Sequence, residues 1–354
     1  MKRDRGEDGI SEVVGFVIIL AVVMAGLSLY MTYAVPVQGR EGEIKVMDDV
    51  RSWFVDYKTG VDQLWLNSPL VPNATGSSAS AVAASDEERR ALYSTSVGQV
   101  TLRSVLNTGV LQEKGFIRRY MPVLSPIPAS AEVSIRTNDT LSITGWRGTS
   151  QLAPPVTVTY PAPALVYTSH NNYWLQQEYS YQLGGVFLRQ WALEGAEPER
   201  VTVVAAPPLS IYPPEGGTDY QTKVGAIVVN VEAPTSGFGA KSPIRVETNL
   251  SANPRALELD ANPPTTEYSN VTLTFRGASH ESAMAWYKVF IGAAARNNLN
   301  PDYYTATPPA GDGTTASIDI VGYQRDDSAV RDVQFEAVVA NYSMRTANVP
   351  TMIE

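Results

Sequence analysis

The stretch that decides the fold is VVGFVIILAVVMAGLSLYMTYAV, from Val13 to Val35. It contains no Asp, Glu, Lys, Arg or His. As an α-helix it spans about 34 Å at ~1.5 Å per residue, which exceeds the ~30 Å hydrocarbon core of a bilayer. The run is too long for the apolar core of a cleaved signal peptide, and no A-x-A-like site follows it. The pattern therefore predicts a transmembrane helix rather than a signal peptide or a buried core helix.

Basic residues on both sides of this run predict its orientation. Lys2, Arg3 and Arg5 precede the run closely, whereas Arg40 and Lys45 follow it at a greater distance. The excess of positive charge favours an N-terminus in the cytoplasm. We therefore expect a protein of the cytoplasmic membrane with a single span and an extracellular C-terminal ectodomain.

The residues before the apolar run form a specific motif. A short charged leader is followed by Asp8-Gly9-Ile10-Ser11-Glu12-Val13-Val14-Gly15-Phe16 and then by the unbroken apolar helix. This segment resembles the N-terminus of archaeal type IV pilin-like proteins, whose precursors carry a prepilin-type (class III) signal. The resemblance implies that residues 1–9 are a leader and that residues 10–37 remain as the transmembrane helix.

The same resemblance assigns roles to individual residues. It implies that a prepilin peptidase cleaves between Gly9 and Ile10, with Gly6 as a second candidate position. It also implies that Glu12 pairs with the α-amine of a neighbouring subunit during assembly. The residues themselves allow another interpretation, in which Glu12 is favoured by the helix dipole and Ser11 caps the helix.

A second helical pattern covers residues 38–66. Pro36 is expected to end or kink the first helix. Apolar residues then recur at helical spacing, at Ile44, Met47, Val50, Phe54, Tyr57, Val61 and Leu64. The charged residues, among them Glu43, are placed elsewhere on the helical wheel. The pattern predicts an amphipathic helix whose apolar stripe packs either on the chain's own β-rich part or on neighbouring subunits.

The remaining chain reads as three further regions. Residues 67–96 are predicted to be a linker with a short helix, since Ser85-Asp86-Glu87-Glu88 matches a capping box. Residues 97–235 are predicted to be a β-rich ectodomain, and residues 236–354 an α+β C-terminal portion with a helix over 281–299. Alternating patterns predict strands at 99–105, 131–135, 141–143, 156–160, 201–204, 226–231, 271–275, 317–321 and 334–340. The expected fold class is mainly β with α additions, and the ectodomain is expected to be β-sandwich-like.

Composition narrows the possible functions. The chain of 354 residues has a formal charge of −9, which argues against nucleic acid as a partner. It has no cysteine and two histidines, His170 and His280, which leaves little material for a metal site or a catalytic triad. No phosphate-binding or hydrolase motif is present. We therefore expect no enzymatic activity, no cofactor and no metal.

Two sets of residues are candidates for surface modification or binding. Five N-x-S/T sequons lie beyond the apolar run and are candidate glycosylation sites: Asn73, Asn138, Asn249, Asn270 and Asn341. Aromatic residues crowd the segment 160–181, where strand packing is the simpler explanation. The alternative is an exposed aromatic binding surface that includes Tyr173 and Trp174.

These patterns lead to one functional expectation and one alternative. The expectation is a pilin-like cell-surface structural or adhesion protein, inserted in a type IV pilus-like filament as a minor or specialised subunit. Its partners would be the membrane, the prepilin peptidase and other pilin-like subunits. The alternative is a membrane-anchored envelope or ligand-binding protein that never assembles.

Overall fold

The computed structural model describes residues 5–66, 101–106, 125–146, 155–191, 200–212, 222–232, 238–240, 243–251, 254–257, 259, 267–321, 323–324 and 331–348. The predicted linker and short helix of residues 67–96, together with Asn73, lie outside these residues. The fold is an apolar N-terminal helix followed by a mostly β, sheet-rich remainder. The mainly β class with added helices is thereby confirmed.

One continuous helical segment forms the N-terminal part. It consists of α1 (Arg5–Leu29), a π-helical turn (Tyr30–Ala34) and α2 (Val35–Leu66). The helix does not end at Pro36. The N–H of Val35 donates to the carbonyl oxygen of Tyr30, so the turn just before Pro36 is wider than an α-helical one. A proline has no N–H and crowds the preceding turn, and the wider turn accommodates it within a helix that continues.

The described residues form 19 strands. They are β1 (Thr101–Leu106), β2 (Ser130–Arg136), β3 (Thr140–Trp146), β4 (Val156–Pro161), β5 (Ala164–His170), β6 (Gln176–Gln182), β7 (Gly185–Trp191), β8 (Arg200–Ala205), β9 (Ser210–Tyr212), β10 (Thr222–Glu232), β11 (Phe238–Ala240), β12 (Ile244–Leu250), β13 (Arg255–Leu257), β14 (Glu267–Tyr268), β15 (Asn270–Arg276), β16 (Tyr304–Thr307), β17 (Thr315–Val321), β18 (Tyr323–Gln324) and β19 (Arg331–Asn348). Each strand predicted from alternation overlaps one of them. The helix predicted over 281–299 is α3 (His280–Arg296), and a 3-10 turn follows at Pro301–Tyr303.

The strands are arranged in three sheets. Sheet A has the order β1-β12-β19-β10-β9, and β13, β14 and β18 also pair with β19. Sheet B has the order β11-β2-β5-β6-β7-β8, and sheet C the order β16-β17-β15-β3-β4. The pairing of β10 with β19 is parallel, in a fold whose other described pairs are antiparallel. Each sheet combines strands from both sides of residue 235, so the two predicted C-terminal regions are interleaved in space.

Helix α2 buries one stripe in a core made by sheets A and B. The buried positions are Val35, Gly39, Glu43, Met47, Val50, Phe54, Tyr57, Val61 and Leu64. Phe54 stacks on Tyr179 of β6, and the hydroxyl of Tyr57 bonds to Thr248 of β12. Of the two predicted packing modes, the structure shows the one in which the stripe packs on the chain's own sheets. The predicted outward position of Glu43 is wrong, because Glu43 lies on the buried stripe.

Helix α3 lies in a second core, between sheets B and C. Ser279 caps it by accepting from the N–H of Ser282 at 3.3 Å. Its Trp286 stacks on Phe275 of sheet C, with ring centroids 4.9 Å apart, and contacts Phe187 of sheet B at 5.9 Å. Sheet B therefore packs α2 on one face and α3 on the other, and it links the two cores.

Candidate functional site: the apolar helix and its junction with the sheets

The apolar run is exposed at most of its positions before Val35. Its most hydrophobic 18-residue window has a mean hydropathy of 2.6 and no buried residue. Phe16 and Val22 are each 66% exposed, and Ile19 is 65% exposed. Soluble proteins rarely expose a contiguous apolar surface of this size, because covering it is strongly favourable. By length and composition, this is the one helix in the described part of the chain that is able to cross a membrane.

Exposure ends abruptly where the helix meets the sheets. Val35 is the first buried residue, and Gly39 follows one turn later. A Cβ atom on Gly39 would lie 2.3 Å from Cδ2 of Tyr173, so the tyrosine ring rests directly on the helix backbone. Arg40 lies beside this contact, with its Cζ 4.3 Å from the centre of the Trp174 ring. A cation at this distance over an indole ring is attracted by the electrons of the ring face.

Glu43 ties the same loop to the helix. Its side chain is buried, and its Oε1 accepts from the backbone N–H of Asn172 at 2.7 Å. Its Oε2 accepts from the backbone N–H of Tyr173 at 2.9 Å. The hydroxyl of Tyr173 in turn accepts from the N–H of Ile127 at 3.1 Å. Hydrogen bonds to a buried carboxylate are strong, because the surroundings screen the charge poorly.

We call these five residues the junction clamp: Gly39, Arg40, Glu43, Tyr173 and Trp174. Three come from α2 and two from the β5–β6 loop, so the clamp joins the base of the exposed apolar helix to sheet B. The clamp holds the helix in a fixed orientation, because the charged groups of Glu43 and Arg40 contact the loop rather than an open cavity. Glu43 was missed as a functional residue. An acid four residues before Met47, in line with the apolar stripe, was the available signal.

The clamp changes the interpretation of the two aromatic candidates. Tyr173 and Trp174 are half-buried, and α2 contacts both rings, through Gly39 and Arg40. Other aromatics of the same segment are core residues, as the simpler explanation predicted: Tyr167, Tyr179 and Tyr181. A ligand-binding role for Tyr173 and Trp174 stays a prediction.

The N-terminal site residues and the sequons are dispersed. Gly9, Ile10 and Glu12 all lie within α1, on its N-terminal turns. Asn138 is exposed in the connection between β2 and β3. Processing at Gly9 and modification at Asn138 stay predictions.

Three sequons fall inside strands. Asn249 is in β12, and its Oδ1 is buried with no hydrogen-bond partner among the described residues. Asn270 begins β15 and accepts from Thr272 at 3.3 Å, and Asn341 lies in β19. These three side chains are partly covered by the sheets, whereas Asn138 is open to solvent.

A group of buried tyrosines lies beneath α2. The hydroxyl of Tyr57 is 2.7 Å from Oγ1 of Thr248, and Tyr342 donates to the carbonyl oxygen of Val61 at 3.2 Å. Burial raises the pKa of Tyr179 to about 12 and raises the pKa values of Tyr57 and Tyr342 further still. Burial keeps these phenols protonated at neutral pH, so they act as packing groups in the core.

A buried polar network connects sheet B with α3. Asp139 is fully buried, and its Oδ2 accepts from Nε2 of Gln182 at 2.6 Å while its Oδ1 accepts from the N–H of Ala278 at 2.6 Å. Gln182 accepts from the indole N–H of Trp286 at 2.8 Å. Arg136 also donates to Asp139, at 3.2 Å. Each of these groups has a partner, which marks the network as structural.

Neither histidine belongs to a recognisable catalytic group. His170 is exposed at the end of β5, and Nδ1 of His280 is 3.1 Å from the carbonyl oxygen of Gly313. Among the described residues, no cluster of three or more metal-ligating side chains is present. Comparison with protein-family models, with curated proteins and with solved structures gave no match. The functional argument therefore rests on the exposed apolar helix and the clamp beneath it.

Proposed function

We propose that this protein is a pilin-like surface protein of the cytoplasmic membrane. In this proposal the apolar run crosses the membrane, and the sheets form an extracellular domain, with sheets B and C stacked around α3 in a sandwich-like manner. The role is structural and adhesive rather than catalytic. The observation that carries the proposal is one continuous helix in which the apolar segment from Val13 is largely exposed and the segment from Val35 buries one stripe in the chain's own sheets.

The exposed half suits two successive environments. In the membrane, lipid covers its apolar side chains. In a filament, the same segments from neighbouring subunits would cover one another, and small residues such as Gly15, Gly26 and Ser28 would allow close approach. The junction clamp would hold each apolar segment at a defined angle to its sheets, which a regular assembly requires. The leader motif around Gly9 supports the same proposal, through its resemblance to prepilin-type signals.

The first test is the mature N-terminus, measured by mass spectrometry in membrane and sheared-filament fractions of the native cell. A chain beginning at Ile10 in filaments is the expected result. A chain beginning at Ile10 in membranes alone would favour a processed protein that stays in place or initiates filaments. An intact leader in both fractions would overturn the prepilin assignment and leave the membrane-anchored alternative.

Assembly has a second test that uses the absence of native cysteine. A Val22→Cys variant carries a unique thiol in the apolar run, and Thr202→Cys, on an exposed position of β8, is the matched control. We expect oxidation in the membrane or filament fraction to give disulfide-linked dimers of Val22→Cys and none of Thr202→Cys. Equal cross-linking of both variants, or of neither, would contradict assembly through the apolar run.

A further inference from the structure

Hydroxyl side chains predominate on the outer face of sheet C. Along each strand, alternate residues such as Ile143 and Leu273 point into the core around α3. The residues between them form two rows across the sheet, which we call the threonine face: Thr305, Asp319, Thr272, Thr144 and Thr157 in one row and Thr307, Ser317, Thr274, Ser142 and Thr159 in the other. Every position except Asp319 carries a hydroxyl.

Strand geometry sets the spacing of this array. Neighbouring strands are about 4.8 Å apart, and the two rows are about 6.8 Å apart along the strands. Cross-strand hydrogen bonds hold several of them in place. Thr144 bonds to Thr157 at 2.9 Å and Ser142 to Thr159 at 2.9 Å, and Thr272 donates to Asp319 at 2.8 Å. The result is an ordered array of hydroxyl groups.

The charge of the face is unusual for this chain. Threonine favours strands, which explains single positions. Solvent-facing surfaces ordinarily mix lysine, arginine and acids, and the chain as a whole carries a formal charge of −9. On the outward positions of the five strands, Asp319 and Arg276 are the only charged residues, and their charges cancel. A neutral ligand complements such a face.

An exposed indole borders the array. Trp146 follows Thr144 on the same side of β3 and is 38% exposed. Exposed tryptophan is uncommon, and its flat apolar ring with a polar N–H is suited to stacking on a sugar while the edge hydrogen-bonds. The polar backbone at this end is fixed, since Ser269 donates to the carbonyl oxygen of Trp146 at 2.8 Å.

We propose that the threonine face binds a neutral polysaccharide that lies across the strands. The length of one pyranose unit is close to the strand spacing, so successive sugars lie over successive strands of the sheet. Trp146 would stack on the apolar face of a sugar ring at the border of the array. This inference goes beyond the filament role and is independent of it, because no residue of the apolar run takes part.

The test uses the full chain in mild detergent, produced in a bacterial host that leaves Asn270 without a glycan. Retention is measured on insoluble cellulose and chitin and by affinity electrophoresis in dextran, mannan and xylan. We expect retention on at least one of these polymers that persists at high salt. Trp146→Ala and the double variant Thr144→Val/Thr272→Val should weaken it by about tenfold or more. Thr202→Val, an exposed threonine of sheet B, should leave it unchanged.

Several outcomes would overturn the proposal. They are no retention on any of the polymers, retention that salt abolishes, and equal retention of wild type and variants. Incorporation of the chain into growing ice, without polysaccharide binding, would show that the ligand of the threonine face is ice and not a polysaccharide. Circular dichroism establishes that each variant is folded. A further variant, Thr159→Lys, places a charge at an exposed position of the array. Binding should also be lost in this variant.

Discussion

The buried carboxylate of Glu43 accepts hydrogen bonds from two successive backbone N–H groups, of which that of Tyr173 lies 2.9 Å from Oε2. The two residues are separated by 130 positions in the chain. One belongs to the helix that continues from the apolar run, and the other to a loop of sheet B. Their contact decides how the apolar helix is attached to the rest of the protein.

Removing this carboxylate should loosen the attachment. Glu43→Ala leaves the N–H groups of Asn172 and Tyr173 without an acceptor, and we expect a loss of about 2 kcal/mol or more in the free energy of unfolding. Glu41→Gln, an exposed neighbour on the same helix, should change stability by less than about 0.5 kcal/mol. Denaturant unfolding of the detergent-solubilised chain, followed by tryptophan fluorescence, measures both. Similar stabilities of the two variants would show that the clamp contributes little.

The contact between Gly39 and Tyr173 predicts opposite effects for two glycines. Gly39→Ala places a methyl group against the tyrosine ring and should destabilise by about 1–3 kcal/mol. Gly42→Ala meets no atom within 4 Å and should stabilise by about 0.5–1 kcal/mol, since alanine favours a helix over glycine. Combining Gly39→Ala with Tyr173→Ala should recover part of the loss. Thermal unfolding in one detergent compares all variants, and a neutral Gly39→Ala would contradict the close packing.

Membrane insertion should depend on the exposed apolar run. The double variant Ile19→Arg/Val22→Arg places two charges where each costs about 2.5–3.5 kcal/mol in an insertion assay. We expect it to move from the alkali-resistant membrane fraction to the soluble or aggregated fraction. Thr59→Arg/Gln63→Arg, on the exposed side of α2, carries the same added charge and should stay in the membrane. Extraction of wild type by alkali would argue against a spanning helix.

The buried tyrosines predict loss of stability in alkali. Their pKa values are about 10 when unfolded and higher when folded, with that of Tyr179 at about 12. The free energy of unfolding is therefore not reduced by these groups below about pH 10. As the pH rises from there toward the pKa of each tyrosine in the folded protein, the free energy of unfolding falls by up to about 1.4 kcal/mol per pH unit for each group. Circular dichroism and tyrosinate absorbance, recorded together between pH 9 and 13, should show ionisation of these phenols coinciding with unfolding. Ionisation of all tyrosines near pH 10 with intact structure would exclude their burial.

Adjacent residues in the turn before β3 should behave very differently. Asp139→Ala removes the acceptor of Gln182 and of the Ala278 N–H in a buried site, so we expect a loss of about 2–4 kcal/mol. Asn138→Ala, exposed one position earlier, should be nearly neutral. The measurement is denaturant unfolding of both variants. A neutral Asp139→Ala would indicate that water replaces the carboxylate.

Much of the architecture was predictable from local patterns. The helical spacing of Met47, Phe54 and Tyr57 predicts the buried stripe, and strict alternation in 271–275 predicts β15. Side chains repeat every 3.6 residues in a helix and every two in a strand, so a buried face leaves its period in the chain. The strands β5, β6 and β7 were not predicted individually, because several of their residues are buried on both faces and alternation is weak.

The candidate site was predictable only in part. Tyr173 and Trp174 stand out as aromatics in a loop, but nothing nearby in the chain indicates that α2 covers them. The spacing of Glu43 from Met47 places it in line with the buried stripe, but only the tertiary structure shows which N–H groups its carboxylate binds. The threonine face is not apparent along the chain, because four of its strands each contribute only a short T-x-T or S-x-T pattern and β17 contributes S-x-D, and each pattern is ordinary alone. Its rows exist only after β3, β4, β15, β16 and β17 pair.

The order of residues along the chain thus sets the apolar helix, its amphipathic continuation and nine of the 19 described strands, because each depends on the backbone geometry of neighbouring residues. The tertiary structure decides what these elements contact. It pairs β10 with β19 in parallel across more than 100 intervening residues and brings the loop of Tyr173 onto Gly39. Such contacts depend on shape and hydrogen-bond complementarity between distant segments, for which a local period carries no information.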